Sequence, residues 1–379
     1  MRGLRHAVKL VRYPELPAGV ARIIGGKRMN FKKIAATLLA AVMSVSLAAC
    51  NSADVKWIAK ADGEEVPSGV YLVHLINAYS EAESKVEDKE KKVLTQTVDG
   101  TPAAQWITEQ ADKNFQRYIA IEKKAKEQNV TISDVENSFV MQQAQYQWQF
   151  MEGIYTQNGV SQDSMILTLQ NGYKESLLFN AQYGENGVTP ISQEELLKEF
   201  QSNYYKAMYI TISLVDNNNQ PKDEAGKKVV TDKANEILAK ATADGANYSD
   251  VILEYEKSQA EAKGDDSTIH AHDASSHVSF IGKENESYTA EFKAEIDKMQ
   301  IGEVKVITSG NVVYILQRLA NDVPEDLSNS RSEIMTKLKG TEFDESIDAL
   351  AASTVVEYNT KAKSLYTPAK LKMDVKATA

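Results

Sequence analysis

The chain has 379 residues, with 43 Lys and Arg against 53 Asp and Glu, and a formal net charge of −10 at pH 7. Nine of the basic residues and one acid lie in residues 1 to 49, so the remaining 34 basic and 52 acidic side chains carry −18. A body of that sign repels nucleic acid and anionic headgroups, which argues against both as partners. The single cysteine, Cys50, excludes a disulfide within the chain, so stability must rest on packed cores.

Residues 1 to 28 are an irregular basic stretch holding Arg2, Arg5, Pro14, Pro17 and the Gly25-Gly26 pair, whereas Met29-Asn30-Phe31-Lys32-Lys33 has the form of a natural start. Residues 1 to 28 are therefore expected not to be made in the cell, with a basic membrane-surface arm as the alternative. Lys32-Lys33, the apolar run from Ile34 to Ala49 and the string Leu47-Ala48-Ala49-Cys50 supply the basic start, apolar stretch and small residues of a lipoprotein signal peptide. The run falls short of the roughly 20 apolar residues that cross a bilayer. Cleavage before Cys50 frees its amine and thiol for acylation, which implies a protein lipid-anchored to the extracytoplasmic face of a bacterial cell membrane. A buried helix ending in an inert core cysteine is the competing reading. Residues 1–49 are thus read as leader and signal peptide and 50–66 as a lipidated tether.

Residues 67–203 read as a wholly helical domain. Apolar residues recur at helical spacing from Val70 to Tyr79, and His74 within that stripe fits a packed core residue better than a ligand. Glu81 to Lys92 is a charged face or loop. Thr101-Pro102 reads as a helix start, leading through Trp106, Phe115 and Tyr118 to a stop near Asn129. Ser133-Asp134-Val135-Glu136 and Ser192-Gln193-Glu194-Glu195 are capping boxes opening further helices, and Gly159-Val160-Ser161 opens another. The aromatic residues from Tyr146 to Tyr155 have two readings, a surface for unfolded clients or ordinary helix core.

At Lys206 the period changes from helical to strand-like. Ala207 to Leu214 reads as a strand ended by Asp216-Asn217-Asn218-Asn219, followed by helices from about Thr231 to Ala241 and from Tyr248 to Tyr255. A polar loop, a helix with Phe292, Ile296 and Met299, and strands at Val304 to Thr308 and Val312 to Leu316 complete residues 204–321. The order β-α-α-loop-α-β-β predicts a small α+β domain, and the chain as a whole is assigned to the α+β class. Residues 322–379 read as helical from Pro324 to about Leu371, with Ile334, Leu338, Phe343, Ile347, Leu350 and Tyr358 in the stripe. Such a tail is not stable alone and is expected to pack on the helical domain.

Several strings resemble one family. Tyr205-Lys206-Ala207-Met208-Tyr209-Ile210-Thr211-Ile212 is similar to the first strand of the parvulin-type peptidyl-prolyl isomerases. Phe280-Ile281-Gly282 through Glu291-Phe292, and Met299-Gln300-Ile301-Gly302-Glu303-Val304, resemble that family's loop, helix and Gly-Glu-Val turn. With the lipoprotein signal and the helical flanks, the chain after Cys50 resembles the extracytoplasmic PrsA and SurA foldases over nearly its whole length. That resemblance implies a helical chaperone domain, an inserted parvulin-like α+β domain and a C-terminal helix returning to the first. It also implies unfolded or nascent secreted polypeptides as partners, membrane attachment through acylated Cys50, no nucleic acid and no cofactor.

Carried over position by position, the resemblance puts the family's two histidines at Tyr209 and Tyr314, its cysteine or aspartate near Ser258 and its pocket methionine near Tyr288. Phe292 matches the phenylalanine that lines the proline pocket, and Ser275-Ser276 stand in place of a double glycine. Rotation about an X-Pro bond crosses a barrier near 20 kcal/mol without making or breaking a bond. It needs a dry pocket for the proline ring and polar groups matched to the twisted amide, not an acid and a base. Phenols both donate and accept hydrogen bonds, but they are bulkier than imidazole. The expectation is a folding factor with weak or absent isomerase activity; a working isomerase with a tyrosine-containing pocket is the alternative. A metal- or solute-binding lipoprotein ranks third, resting on His270, His272, Asp273 and His277, which read better as a solvated polar loop than as a metal site.

Overall fold

The computed structural model describes residues 56–61, 63–263 and 274–374. The fold is α+β. The described residues up to Phe179 form one compact unit with those from Asp344 on, and Asn180–Phe343 form the other.

The first unit opens with a hairpin, β1 (Trp57–Ala61) and β2 (Glu64–Pro67), and leads directly into helix α1 (Ser68–Lys85). A short pair, β3 (Thr97–Val98) with β4 (Thr101–Pro102), precedes α2 (Ala103–Glu127). Then come α3 (Asp134–Gln157) and α4 (Gln162–Tyr183), the latter crossing the division between units. The helical stop near Asn129 is real: α2 ends at Glu127 and Asn129 takes a left-handed φ of 54°. Both halves of the Ser133/Glu136 capping box form.

The core of this unit is the apolar face of α1, with Val70, Leu75 and Ile76, packed on Ile107, Phe115 and Ile119 of α2. A Cβ on Gly69 would lie 2.3 Å from the Ser164 hydroxyl, so only glycine allows α1 this close to α4. Arg117 of α2 is held by Asp348 at 2.7 Å, Asp344 at 2.6 Å and Glu175. Lys363 pairs with Asp112 and donates to the Tyr71 hydroxyl at 2.7 Å, and that hydroxyl donates to Asp112 at 2.9 Å. Burial pushes the Lys363 amine below its usual value, opposed by Asp112.

This stretch is not wholly helical, and the tail is not continuously helical. α9 (Arg331–Ser353) is followed by β9 (Glu357–Tyr358) and α10 (Thr360–Leu365). β9 pairs antiparallel with β1, giving a sheet of order β2-β1-β9 in which Tyr358 sits opposite Ala59. Tyr358 therefore belongs to a strand and not to a helical stripe. Thr101-Pro102 likewise pairs with Thr97-Val98 before α2 begins at Ala103. Strands of two to five residues are too short for a two-residue period to stand out, and their stability is non-local.

His74 occupies the interior of α1, with its ring against Phe115 at 6.3 Å and Tyr118 at 5.9 Å between centroids. Burial lowers its pKa from 6.5 to about 4. Below pH 6.5 the unfolded chain takes up a proton that the folded unit refuses, so stability is full above pH 6.5 and falls as pH drops toward 4. A shift of this size is worth about 3 kcal/mol. Urea unfolding at pH 7 and pH 4 should show His74→Leu losing about 3 kcal/mol less than the parent over that interval. Equal losses would show that His74 is not the group titrating.

The second unit contains α5 (Gln193–Asn203), again with its capping box formed, Ser192 with Glu195. Its sheet comprises β5 (Tyr204–Ser213), β6 (Val278–Gly282), β7 (Val304–Ser309) and β8 (Val312–Leu319), all antiparallel in the order β6-β5-β8-β7. The run Val278 to Gly282, which the order β-α-α-loop-α-β-β does not count as a strand, is thus a fourth strand. An apolar run of five carries no periodicity that separates strand from coil.

Helices α6 (Glu224–Ala241) and α7 (Tyr248–Lys263) cover one face of this sheet through Val230, Ile237, Tyr248 and Ile252, which meet Met208, Ile210, Val313 and Ile315. The short α8 (Ala290–Lys298) covers the other face, with Phe292 and Ile296 on Tyr205, Ala207, Ile307 and Leu316. α6 starts earlier than the apolar stripe suggests, because the Asp223 carboxylate accepts from the Gly226 N–H at 2.8 Å and caps it.

Candidate functional site

Strand alternation sends Tyr205, Ala207 and Tyr209 of β5 to the same face as Tyr314 and Leu316 of β8. α8 is fixed over that face at both ends. The Thr289 hydroxyl accepts from the Phe292 N–H at 3.2 Å and lies 3.3 Å from the Ser309 hydroxyl on β7. At the other end, one guanidinium nitrogen of Arg318 donates to the carbonyls of Ile296, Asp297 and Met299 at 3.1, 3.2 and 2.6 Å. These clamps orient Phe292. None of Thr289, Ser309 and Arg318 was singled out from sequence, although a threonine one residue ahead of a helix is a readable cap.

Four of the five positions carried over from the isomerase resemblance meet here. Tyr288 stacks on Phe292 with centroids 5.0 Å apart and planes at 13°, and Tyr314 lies 4.7 Å from Phe292. Tyr209 meets Tyr314 edge-on at 5.5 Å. The three phenols are half-buried, whereas Phe292 has 0% of its surface exposed. Burial, then the hydrogen bond with Tyr209, holds the Tyr288 hydroxyl well above the usual phenol range, and burial with the neighbouring Tyr209 raises that of Tyr314. Both stay neutral near pH 7.

Chemically this is an uncharged aromatic cluster with hydroxyls that donate and accept. With Tyr288 and Tyr314 in place, Phe292 offers no surface to a proline ring. The fifth position does not join the cluster. Ser258 lies on α7, which packs on the opposite face of the sheet, and its exposed hydroxyl donates to the Tyr255 carbonyl at 2.7 Å.

Cys50, His270, His272 and Asp273 lie outside the described residues. His277 is described, and its Nδ1 lies 3.6 Å from Glu256. Among the described residues, no group of three or more His, Cys, Asp and Glu side chains is placed to hold a metal ion, and no helix is long and apolar enough to cross a membrane.

The aromatic stretch of α3 is part buried and part exposed. Trp148 packs against the fully buried Tyr155 at 5.9 Å, and the Tyr155 hydroxyl accepts from Gln147 at 3.3 Å. Tyr146 and Phe150, one turn apart on another side of the helix, are 66% and 67% exposed and meet each other at 4.8 Å. α3 buries only Val140, Ala144 and Tyr155 of its 24 residues.

No protein-family model matches the sequence, and a comparison with curated proteins finds no match. Solved structures do. The chain is similar in structure to PrsA foldases. A foldase protein PrsA from Lactococcus lactis aligns at 13% identity and a TM-score of 0.36, over 82% of this chain and 97% of that one. PrsA from Streptococcus pneumoniae aligns at 15% identity and 0.31, over 70% and 95% of the two chains. PrsA from Bacillus subtilis aligns at 14% identity and 0.31, over 70% and 91%.

Proposed function

We propose that the chain is a folding factor of the cell envelope, anchored to the extracytoplasmic face of the membrane through acylated Cys50, which holds unfolded secreted polypeptides on its helical unit. The sheet unit is a parvulin-like domain whose isomerase activity is weak or absent. The observation that carries this reading is the complete burial of Phe292 beneath Tyr288 and Tyr314. An isomerase pocket must present apolar surface to the proline ring, and here tyrosine rings occupy that surface. Tyr209, Tyr288 and Tyr314 act together as a contact surface packed over the buried Phe292, with Ser258 apart from them.

A holder needs wide apolar side chains in contact with solvent, so that it can cover client segments transiently and release them to fold. Tyr146 and Phe150 meet that need. Light scattering of a chemically denatured client, diluted into buffer with and without the chain, tests the reading. Scattering should fall as the chain approaches equimolar amounts, and Tyr146→Ser with Phe150→Ser should restore most of it. Unchanged aggregation at excess chain would refute the holding role.

A further inference from the structure

The exposed ring pair of α3 lies in a stretch with an unusual charge pattern. From Glu127 to Tyr173 there is no Lys or Arg, although the chain has 43 of them, while Glu127, Asp134, Glu136, Glu152 and Asp163 are all acidic. Between Glu136 and Glu152 of α3, five of the fifteen residues are glutamine, and Gln142, Gln145 and Gln149 are exposed. Lys372 meets α3 only at its carboxyl end, through backbone hydrogen bonds with Gln157 and Asn158.

We propose that this face of α3 selects unfolded polypeptide segments in which Lys or Arg stands beside apolar side chains; the proposal rests on the holding role above and names its substrate class. Tyr146 and Phe150 meet at 61°, which leaves ring faces open to solvent. An ammonium or guanidinium within about 6 Å of such a face is attracted by the ring quadrupole, and its apolar neighbours cover the ring edges. The fold makes the same contact internally, with the Lys85 ammonium 4.8 Å from the Trp106 centroid and that of Lys60 4.9 Å from Trp57. The net acidity of the stretch favours an incoming cation at longer range, and glutamine amides both donate to and accept from an extended backbone. A second copy of the chain is the poorer occupant, because it would bring together two stretches that are each acidic and free of Lys and Arg.

Two fluorescent, unstructured peptides of equal length and equal apolar content test this, one carrying lysine and the other glutamate at the remaining positions. Anisotropy titrations of the full chain should show the lysine peptide bound about tenfold more tightly, a difference that narrows with added salt. Tyr146→Ser with Phe150→Ser should weaken lysine-peptide binding about tenfold while leaving helix content and melting temperature unchanged. Equal affinity for the two peptides, no binding of either, or binding indifferent to the double substitution would overturn the proposal. So would sedimentation showing a dimer that the double substitution converts to monomer. If the chain still keeps a denatured client soluble in any of those cases, the selectivity alone is wrong and the holding role stands; if it does not, the holding role falls as well.

Discussion

Phe292→Ala should destabilise the sheet unit by about 4 kcal/mol, the range for removing a buried phenylalanine from a packed core. The ring has no exposed surface and touches Tyr288 and Tyr314 as well as the core formed with Ile296, Met299 and Leu316. Were Phe292 the open wall of a proline pocket, the same change would cost far less stability and would act on catalysis instead. Trp57, Trp106 and Trp148 all lie in the other unit, so tryptophan fluorescence does not report this loss. Hydrogen exchange of the β5 amides does. Protection of those amides in Phe292→Ala equal to that of the parent would show that the ring is not core.

Asp326→Ala should cost about 3 kcal/mol, because removing one partner of a buried ion pair leaves the other charge uncompensated. The Lys206 ammonium on β5 lies 2.7 and 3.0 Å from the two Asp326 oxygens, and the side chains are only 16% and 8% exposed. For a unit of this size the loss lowers its melting temperature by about 10 °C. Replacing both partners, Lys206→Met with Asp326→Leu, should recover most of that loss, since an apolar pair of similar volume avoids burying charge. A double variant as unstable as Asp326→Ala would mean that the acid matters for some contact other than Lys206.

Local features were legible in the sequence. The boxes of Ser133 with Glu136 and Ser192 with Glu195 form as read, because each needs only four consecutive residues. The β5 strand and the α1 and α2 stripes stand out because many residues repeat one period. The pairing of β1 with β9 was invisible, since its two strands come from opposite ends of the described chain and each is short. The strand Val278 to Gly282 was hidden for the related reason that β5 alone defines it.

The ring cluster was half legible. That phenols stand where the resemblance calls for imidazoles is plain from Tyr209 and Tyr314, but their packing over Phe292 depends on side-chain angles no spacing encodes. The α3 aromatics show the same limit. Tyr146 and Phe150 share one side of the helix at a spacing of four, Trp148 and Tyr155 share another at seven, and only the packing of neighbouring elements decides which side is wet.

The most direct measurement is the cis-trans exchange rate of a proline-containing peptide, followed by NMR with and without the full chain. With Phe292 sealed under Tyr288 and Tyr314, exchange should stay at or near its uncatalysed rate, on the scale of tens to hundreds of seconds at 25 °C. Exchange accelerated by orders of magnitude at catalytic amounts of the chain would contradict the filled pocket.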